Sequence, residues 1–312
     1  MNNAIPLHIA TPLIESRALS LRTGCDVWLK MDALQPSGSF KLRGVGLACQ
    51  THAQRGARRF VSSSGGNAGI AVAYAGRMLG LPVAVVVPET TSARARELVQ
   101  LQGANLTVHG ASWQEANAYA QSLLGPTDAF IHPFDDPLLW EGHATLVDEV
   151  AQAATTTGWV PDMVVLSVGG GGLLCGVLQG LERNGWAHVP VLAAETEGAD
   201  SLSQALAAGE RITLPAITSV ATSLGARQVC ERAFDSARER PVCPVVVTDA
   251  AALAACRAFL DDHRVLVEPA CGAALAALEV LPHAFADAAQ TPRVLVVVCG
   301  GVTATVASIQ AA

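Results

Sequence analysis

From about residue 58 onward the chain repeats one pattern: an apolar run of strand length, then a stretch of helix length, closed by a turn residue. Strands that alternate with helices build a parallel sheet through helical crossovers, so the repetition predicts an α/β fold. RRFVSSS precedes GNAGIAVAYAGRMLG, PVAVVVPE precedes SARARELVQLQG, NLTVHG precedes SWQEANAYAQSLLG, and AFIHPF precedes a helix expected from Leu139 to Ala154. Gly80, Gly103 and Gly125 are expected to end helices in the left-handed conformation that glycine adopts without strain. Ser92 and Ser112 are expected N-caps, since a hydroxyl there can accept from the amides of the first turn.

The second half repeats the scheme. DMVVLSV leads into GGGGLLCGVLQGLERNG, VPVLAAE into DSLSQALAAG, PVVVTDA into a helix to Asp262, and RVLVVVCGG into TATVASIQAA. MVVLSV and VLVVVC lack polar alternation, which predicts central strands covered on both faces. Two α/β halves with no linker lead us to expect a cleft between them. Ligands in open α/β sheets sit beyond the carboxyl ends of strands, beside helix N-termini. SSSGGNAG, SVGGGGLL and VVCGGVT are three glycine-bearing turns in such positions.

Composition removes several function classes. With 312 residues, 51% hydrophobic, the chain is long enough for two domains or one large one, and it is not disordered. A net charge of −7 with scattered arginines offers no basic surface for nucleic acid. The N-terminus lacks the pattern of a signal peptide and no apolar run is long enough to span a bilayer, so a cytoplasmic protein is expected. The eight cysteines and eight histidines show no CxxC, HExxH or other metal-ligand rhythm. The cysteines are expected to be mostly buried, reduced thiols.

Three features carry chemistry. Gly169 to Gly172 follow a strand and open a helix, so consecutive amides can close on a phosphate at the positive helix end. A tight turn alone needs one or two glycines, not four. No GK[ST] follows and the glycines are not spaced as a dinucleotide fingerprint, so a single phosphate is the more economical ligand, with a tight turn for close strand-helix packing as the alternative. Ser62 to Gly69 form a second strand-to-helix turn, suited to a small carboxylate or simply to a good N-cap. The third feature is the lysine usage: Lys30 and Lys41 stand against eighteen arginines. An arginine cannot act as an amine nucleophile, whereas a lysine can condense with an aldehyde. Lys41 sits in PSGSFKLRG at an expected helix start; Lys30, after an apolar strand-like run, reads as an ordinary strand-end charge. A phosphate cradle, a carboxylate site and a condensable lysine are together what a pyridoxal phosphate enzyme acting on an amino acid needs.

PSGSFKLRG, SSSGGNAG, SVGGGGLLCGVLQGL, PFDDPLLWEGHATLVDE, LVEPACGAALAAL and VVVCGG occur in that order along the chain. Together they resemble the fold type II (tryptophan synthase β family) pyridoxal phosphate-dependent L-serine/L-threonine dehydratases, most of all the short liver-type L-serine dehydratases. The resemblance covers essentially the whole chain. It implies two open α/β domains with mostly parallel central sheets and the cofactor in the cleft between them. Residues 1–34 and 139–312 would form a large cofactor-binding domain, and 35–138 a small domain carrying the lysine and the carboxylate loop. It also implies β-elimination of L-serine, and of L-threonine, to pyruvate or 2-oxobutyrate plus ammonia.

The resemblance further implies roles for particular residues. Lys41 would hold the cofactor covalently and later take the α-proton, Phe40 would pack on the ring, and Asn67 would bind the ring hydroxyl. Gly169, Gly170, Gly171, Gly172 and Leu173 would hold the phosphate through main-chain amides, and Cys299 would face the pyridine nitrogen. Ser64, Gly65, Asn67 and Ala68 would bind the substrate carboxylate. Related racemases carry serine at position 65 and the liver-type enzyme alanine, so Gly65 implies weak racemisation and extra room. Gly169, Glu195, Ala199, Ser201, Leu224 and Ala226 would form a monovalent-cation site suited to potassium, with Glu195 alternatively a strand-end charge. A homodimer is expected on the same ground. A β-replacement enzyme of the cysteine synthase type is the rival reading, and a non-catalytic small-molecule-binding protein a third.

Overall fold

The computed structural model describes residues 5–281 and 290–310. They divide into two compact units: the residues up to Ile9 with Gln35–His143, and Ala10–Leu34 with the residues from Ala144 onward.

The chain enters the second unit early. β1 (Leu13–Glu15), α1 (Arg17–Thr23) and β2 (Asp26–Lys30) form an antiparallel pair of strands joined by a helix. Ser16 caps α1 by accepting from the Leu19 amide, and Gly24 ends it at φ 72°. Lys30 closes β2, but it is no ordinary strand-end charge. It is only 1% exposed, pairs with Glu149 and donates to the Thr11 carbonyl at 2.6 Å. A cation taken out of water needs such partners, and this ion pair corrects the expectation of an ordinary strand-end charge.

The first unit is a four-stranded parallel sheet with helical crossovers. Its elements are α2 (Lys41–Gln54), β3 (Arg59–Ser62), α3 (Asn67–Leu79), β4 (Val83–Val87), α4 (Ala93–Leu101), β5 (Asn105–Val108), α5 (Trp113–Ser122) and β6 (Asp128–Phe130). The strand order is β5-β4-β3-β6, with Phe60, Val61, Val85 and Val86 of the two central strands wholly buried. Ser92 and Ser112 cap α4 and α5 as expected, accepting from Ala95 and Glu115. Gly80 ends α3 at φ 67° and Gly103 follows α4 at φ 84°. Gly125 departs from expectation, because it is not among the residues with positive φ. The Asp128 carboxylate instead fixes the turn by accepting from the Gly125 amide at 2.7 Å. α6 (Pro137–Thr157) follows, and the division between the units falls within it.

The remaining elements of the second unit are β7 (Met163–Ser167), α7 (Gly172–Arg183), β8 (Val191–Thr196), α8 (Ser201–Ala208), α9 (Glu231–Glu239), β9 (Val242–Val247), α10 (Asp249–His263), α11 (Pro269–Ala276), β10 (Arg293–Val297) and α12 (Val306–Gln310). The last two residues of TATVASIQAA lie outside the described residues. The sheet order is β1-β2-β10-β7-β8-β9, parallel except for β1. β7 and β10 are interior and almost wholly buried, as their unbroken apolar runs predict. At the far edge, Pro244 of β9 lies opposite Ala193. Pro241 and Val247 accept from β8 and the residue after it, so the odd-numbered positions face β8 and Pro244 faces the open edge. α11 is buried from Ala270 to Ala276 and packs on α10, where Gly272 is needed: a Cβ there would stand 2.2 Å from the Ala252 carbonyl oxygen.

Candidate active site

Lys41 is the first residue of α2. Its Nζ donates to the Pro133 carbonyl at 2.6 Å and lies 5.1 Å from the centre of the Phe40 ring. The Phe40 ring meets His143 edge-on, with centroids 4.9 Å apart. His143 is wholly buried and neither ring nitrogen makes a hydrogen bond to protein. Burial, then the nearby Lys41, Arg43 and His8, hold its pKa well below the usual histidine value. The imidazole is therefore neutral. Gly44 makes this packing possible, since a Cβ there would stand 2.7 Å from His143 Cε1.

α3, the neighbour of α2 in the same unit, begins directly after the SSSGG turn. Asn67 and Ala68 are buried in its first turn, while Ser64 and Gly65 are half-buried in the turn itself. The amides of a first helical turn have no partner within the helix and are available to an anion. Gly69 is obligatory: a Cβ would stand 1.6 Å from the Ser64 carbonyl oxygen, so the turn closes against bare helix backbone. The expected extra room at Gly65 is absent. A Cβ there would meet Thr91 Cγ2 at 2.6 Å and Val87 Cγ1 at 2.9 Å, so neighbouring side chains already fill the space.

In the second unit β7 leads through Val168 into Gly169, Gly170 and Gly171, and α7 starts at Gly172. Gly171 caps α7 at φ 93°, and a Cβ there would stand 2.4 Å from that of Ala233. A Cβ on Gly169 would stand 2.9 Å from Leu224 Cα. Backbone is thus all that fits at these positions, and the turn offers amides to a ligand. Cys299, just past β10, is 4% exposed, and its Sγ is 3.6 Å from Ser167 Oγ. A hydrogen bond with Cys271, then burial, raises its pKa well above the usual thiol value, so it stays a neutral thiol.

Of the residues expected around a cation, Gly169 and Leu224 are neighbours, and the Leu224 carbonyl accepts from Ala226 at 2.8 Å. Glu195 is wholly buried, not an exposed strand-end charge, and it caps α8 by accepting from the Leu202 and Ser203 amides and the Ser203 hydroxyl. Burial is the main cause that pushes its pKa up to about 7. Ala199 is buried, and the buried Ser201 hydroxyl makes no hydrogen bond to protein. None of the eight cysteines forms a disulfide, and Cys243 alone is exposed. Among the described residues no group of three or more His, Cys, Asp or Glu could hold a metal ion.

A model of the pyridoxal-phosphate dependent enzyme family matches residues 5–300. The chain belongs to this family. Among its relatives, the serine dehydratase-like protein of Mus musculus is 50% identical, with 96% of this chain and 92% of that one aligned. The L-serine dehydratase/L-threonine deaminase of Homo sapiens is 47% identical over 100% of this chain and 96% of its own. In structure, a fungal L-serine ammonia-lyase from Rhizomucor miehei superposes with a TM-score of 0.92 at 34% identity, covering 98% of each chain.

The residues present suit the family's cofactor. A helix-starting lysine offers an amine to its aldehyde, the bare-glycine turn at α7 offers amides to its phosphate, and a neutral thiol suits an unprotonated ring nitrogen. Residue spacing did not single out Pro133, His132, His143 or Thr91. Each matters through contacts that only the folded chain creates, and no motif period announces them.

Proposed function

We propose that this chain deaminates L-serine, and L-threonine, by pyridoxal phosphate-dependent β-elimination to pyruvate or 2-oxobutyrate plus ammonia. Near full-length similarity to proteins bearing that name, together with Lys41 at the start of α2, supports the reading most strongly. When bound, the cofactor supplies an electron sink for the substrate α-carbon.

Lys41 would hold the cofactor covalently and, once free of it, would take the α-proton on Nζ. Phe40 packs against the ring and Asn67 donates to its hydroxyl. The amides of Gly169 to Leu173 hold the phosphate. Cys299 would offer the ring nitrogen a neutral thiol that keeps its proton, a milder setting suited to elimination, where the departing β-hydroxyl carries away the electron pair left when the α-proton is taken. Ser64, Gly65, Asn67 and Ala68 hold the substrate carboxylate. Gly65 has no side chain with which to protonate the opposite face of the α-carbon, which favours elimination over racemisation.

We assign the cofactor-binding domain to residues 1–34 and 139–312 and the small domain to 35–138; the compact units differ from these bounds in grouping the residues up to Ile9 and residues 139–143 with the Lys41-bearing unit. Potassium would bind the Glu195 carboxylate with oxygens of Gly169, Ala199, Ser201, Leu224 and Ala226. A cytoplasmic homodimer completes the reading.

The test is 2-oxo acid release from purified holoenzyme. L-Serine must yield pyruvate with or without sulfide; sulfide-dependent cysteine formation without 2-oxo acid would identify a β-replacement enzyme instead. Lys41→Ala should abolish the visible cofactor band and reduce turnover by about 10²–10⁴-fold, the range for removing a general base. Lys30→Ala should retain the band.

A further inference from the structure

His132 follows β6 by two residues, in the first unit. Its Nδ1 accepts two backbone hydrogen bonds, from the Phe134 amide at 3.3 Å and from the Asp135 amide at 2.8 Å. A ring nitrogen that accepts carries no proton, so this imidazole is neutral with its hydrogen on Nε2. Phe134 and Phe130 meet the ring edge-on, at centroid distances of 4.8 Å and 6.4 Å. The two accepted bonds draw residues 132–135 into a tight turn. Pro133 lies inside that turn, and its carbonyl receives Lys41 Nζ at 2.6 Å. Proline has a fixed φ and no N–H, so the direction of this carbonyl depends on how its neighbours are held.

We propose that His132 is a positioning residue for Lys41, its unprotonated Nδ1 clamping the turn that aims the Pro133 carbonyl at the lysine amine. The proposal deepens the function above and rests on reading Lys41 as the cofactor-holding amine. The clamp works only while the imidazole is neutral. Burial is the largest cause holding its pKa below the usual histidine value, and Lys41 adds to it; Asp135 and Asp136 pull the other way.

Three variants separate the clamp from mere packing. His132→Asn places an amide oxygen as far from the backbone as Nδ1 and can accept the same amides. His132→Gln carries its oxygen one carbon further, and His132→Ala has no acceptor. Apoprotein titrated with pyridoxal phosphate, read by the visible band, gives cofactor affinity; kcat and KM for L-serine follow on the holoenzyme. His132→Asn should stay within about threefold of wild type, while His132→Ala and His132→Gln lose about tenfold or more in affinity and kcat, with KM less affected, as expected for roughly 1.4 kcal/mol of lost positioning.

The acid limb of cofactor binding due to His132 should vanish in His132→Asn. Normal binding and turnover in His132→Ala would overturn the proposal, as would equal impairment of the Asn and Ala variants. If His132→Ala does not fold, His132→Gln against His132→Asn decides the same point. A wild-type protein without visible band or 2-oxo acid would overturn the cofactor reading instead. In that case nitrogen NMR of the apoprotein ring still judges the clamp: an Nδ1–H tautomer refutes it and Nε2–H supports it.

Discussion

At the scale of single residues, the two lysines have diverged in what surrounds them. Lys41 starts a helix with its amine against a carbonyl, whereas Lys30 is sealed in an ion pair with Glu149. Breaking one side of a buried pair leaves an uncompensated charge, so Lys30→Ala should lower stability by about 3–5 kcal/mol in denaturant melts. Adding Glu149→Leu should recover part of that loss. Glu195 gives a pH signature. Its usual pKa of 4.5 is pushed up to about 7, so between those values the folded state holds a proton that the unfolded state has lost. Its contribution is therefore full below pH 4.5 and is lost as pH rises to about 7. Thermal melts should show this decline and Glu195→Gln should flatten it. Potassium, on the proposed assignment, should raise the melting temperature at pH 8 much more than at pH 5, because it favours the ionised carboxylate.

At the scale of elements, the strand-and-helix alternation was readable because apolar runs and capping residues act locally. Ser92, Ser112 and Gly80 each do what their residue type does anywhere. Gly125 was misread because the Asp128 side chain, three residues on, settles that turn. α11 has no polar face, being buried on all sides, so its PACGAALA stretch carries no helical period to read. The glycine motifs were read as anion sites from their position at helix starts, but the reason each glycine is needed came only from its neighbours. Gly171 is the sharpest case, with positive φ and Ala233 too close for any Cβ. Gly171→Ala should therefore weaken pyridoxal phosphate binding by about tenfold or more in a visible-band titration, since strain at such a position costs about 1–3 kcal/mol. Gly185→Ala, where a Cβ meets nothing within 4 Å, provides the control for positive φ alone.

At the scale of the whole molecule, sequence pattern reached the fold class and the interior strands, while the edges of the sheets depended on pairing partners that no local run specifies. β9 illustrates this: it reads as another apolar strand, yet it is outermost and its Val246 is 38% exposed. A bare apolar edge invites another chain to extend the sheet, and a proline whose missing N–H faces outward interrupts the row of donors such an addition would use. Pro244→Thr should consequently increase light scattering on concentration or mild heating while leaving turnover of L-serine unchanged. Replacement without any rise in aggregation would remove the argument. Pro244 thus acts as a stop codon in space: along this edge the sheet ends at β9, and a second copy that met it there would have to use side-chain surfaces instead of a seam of shared backbone.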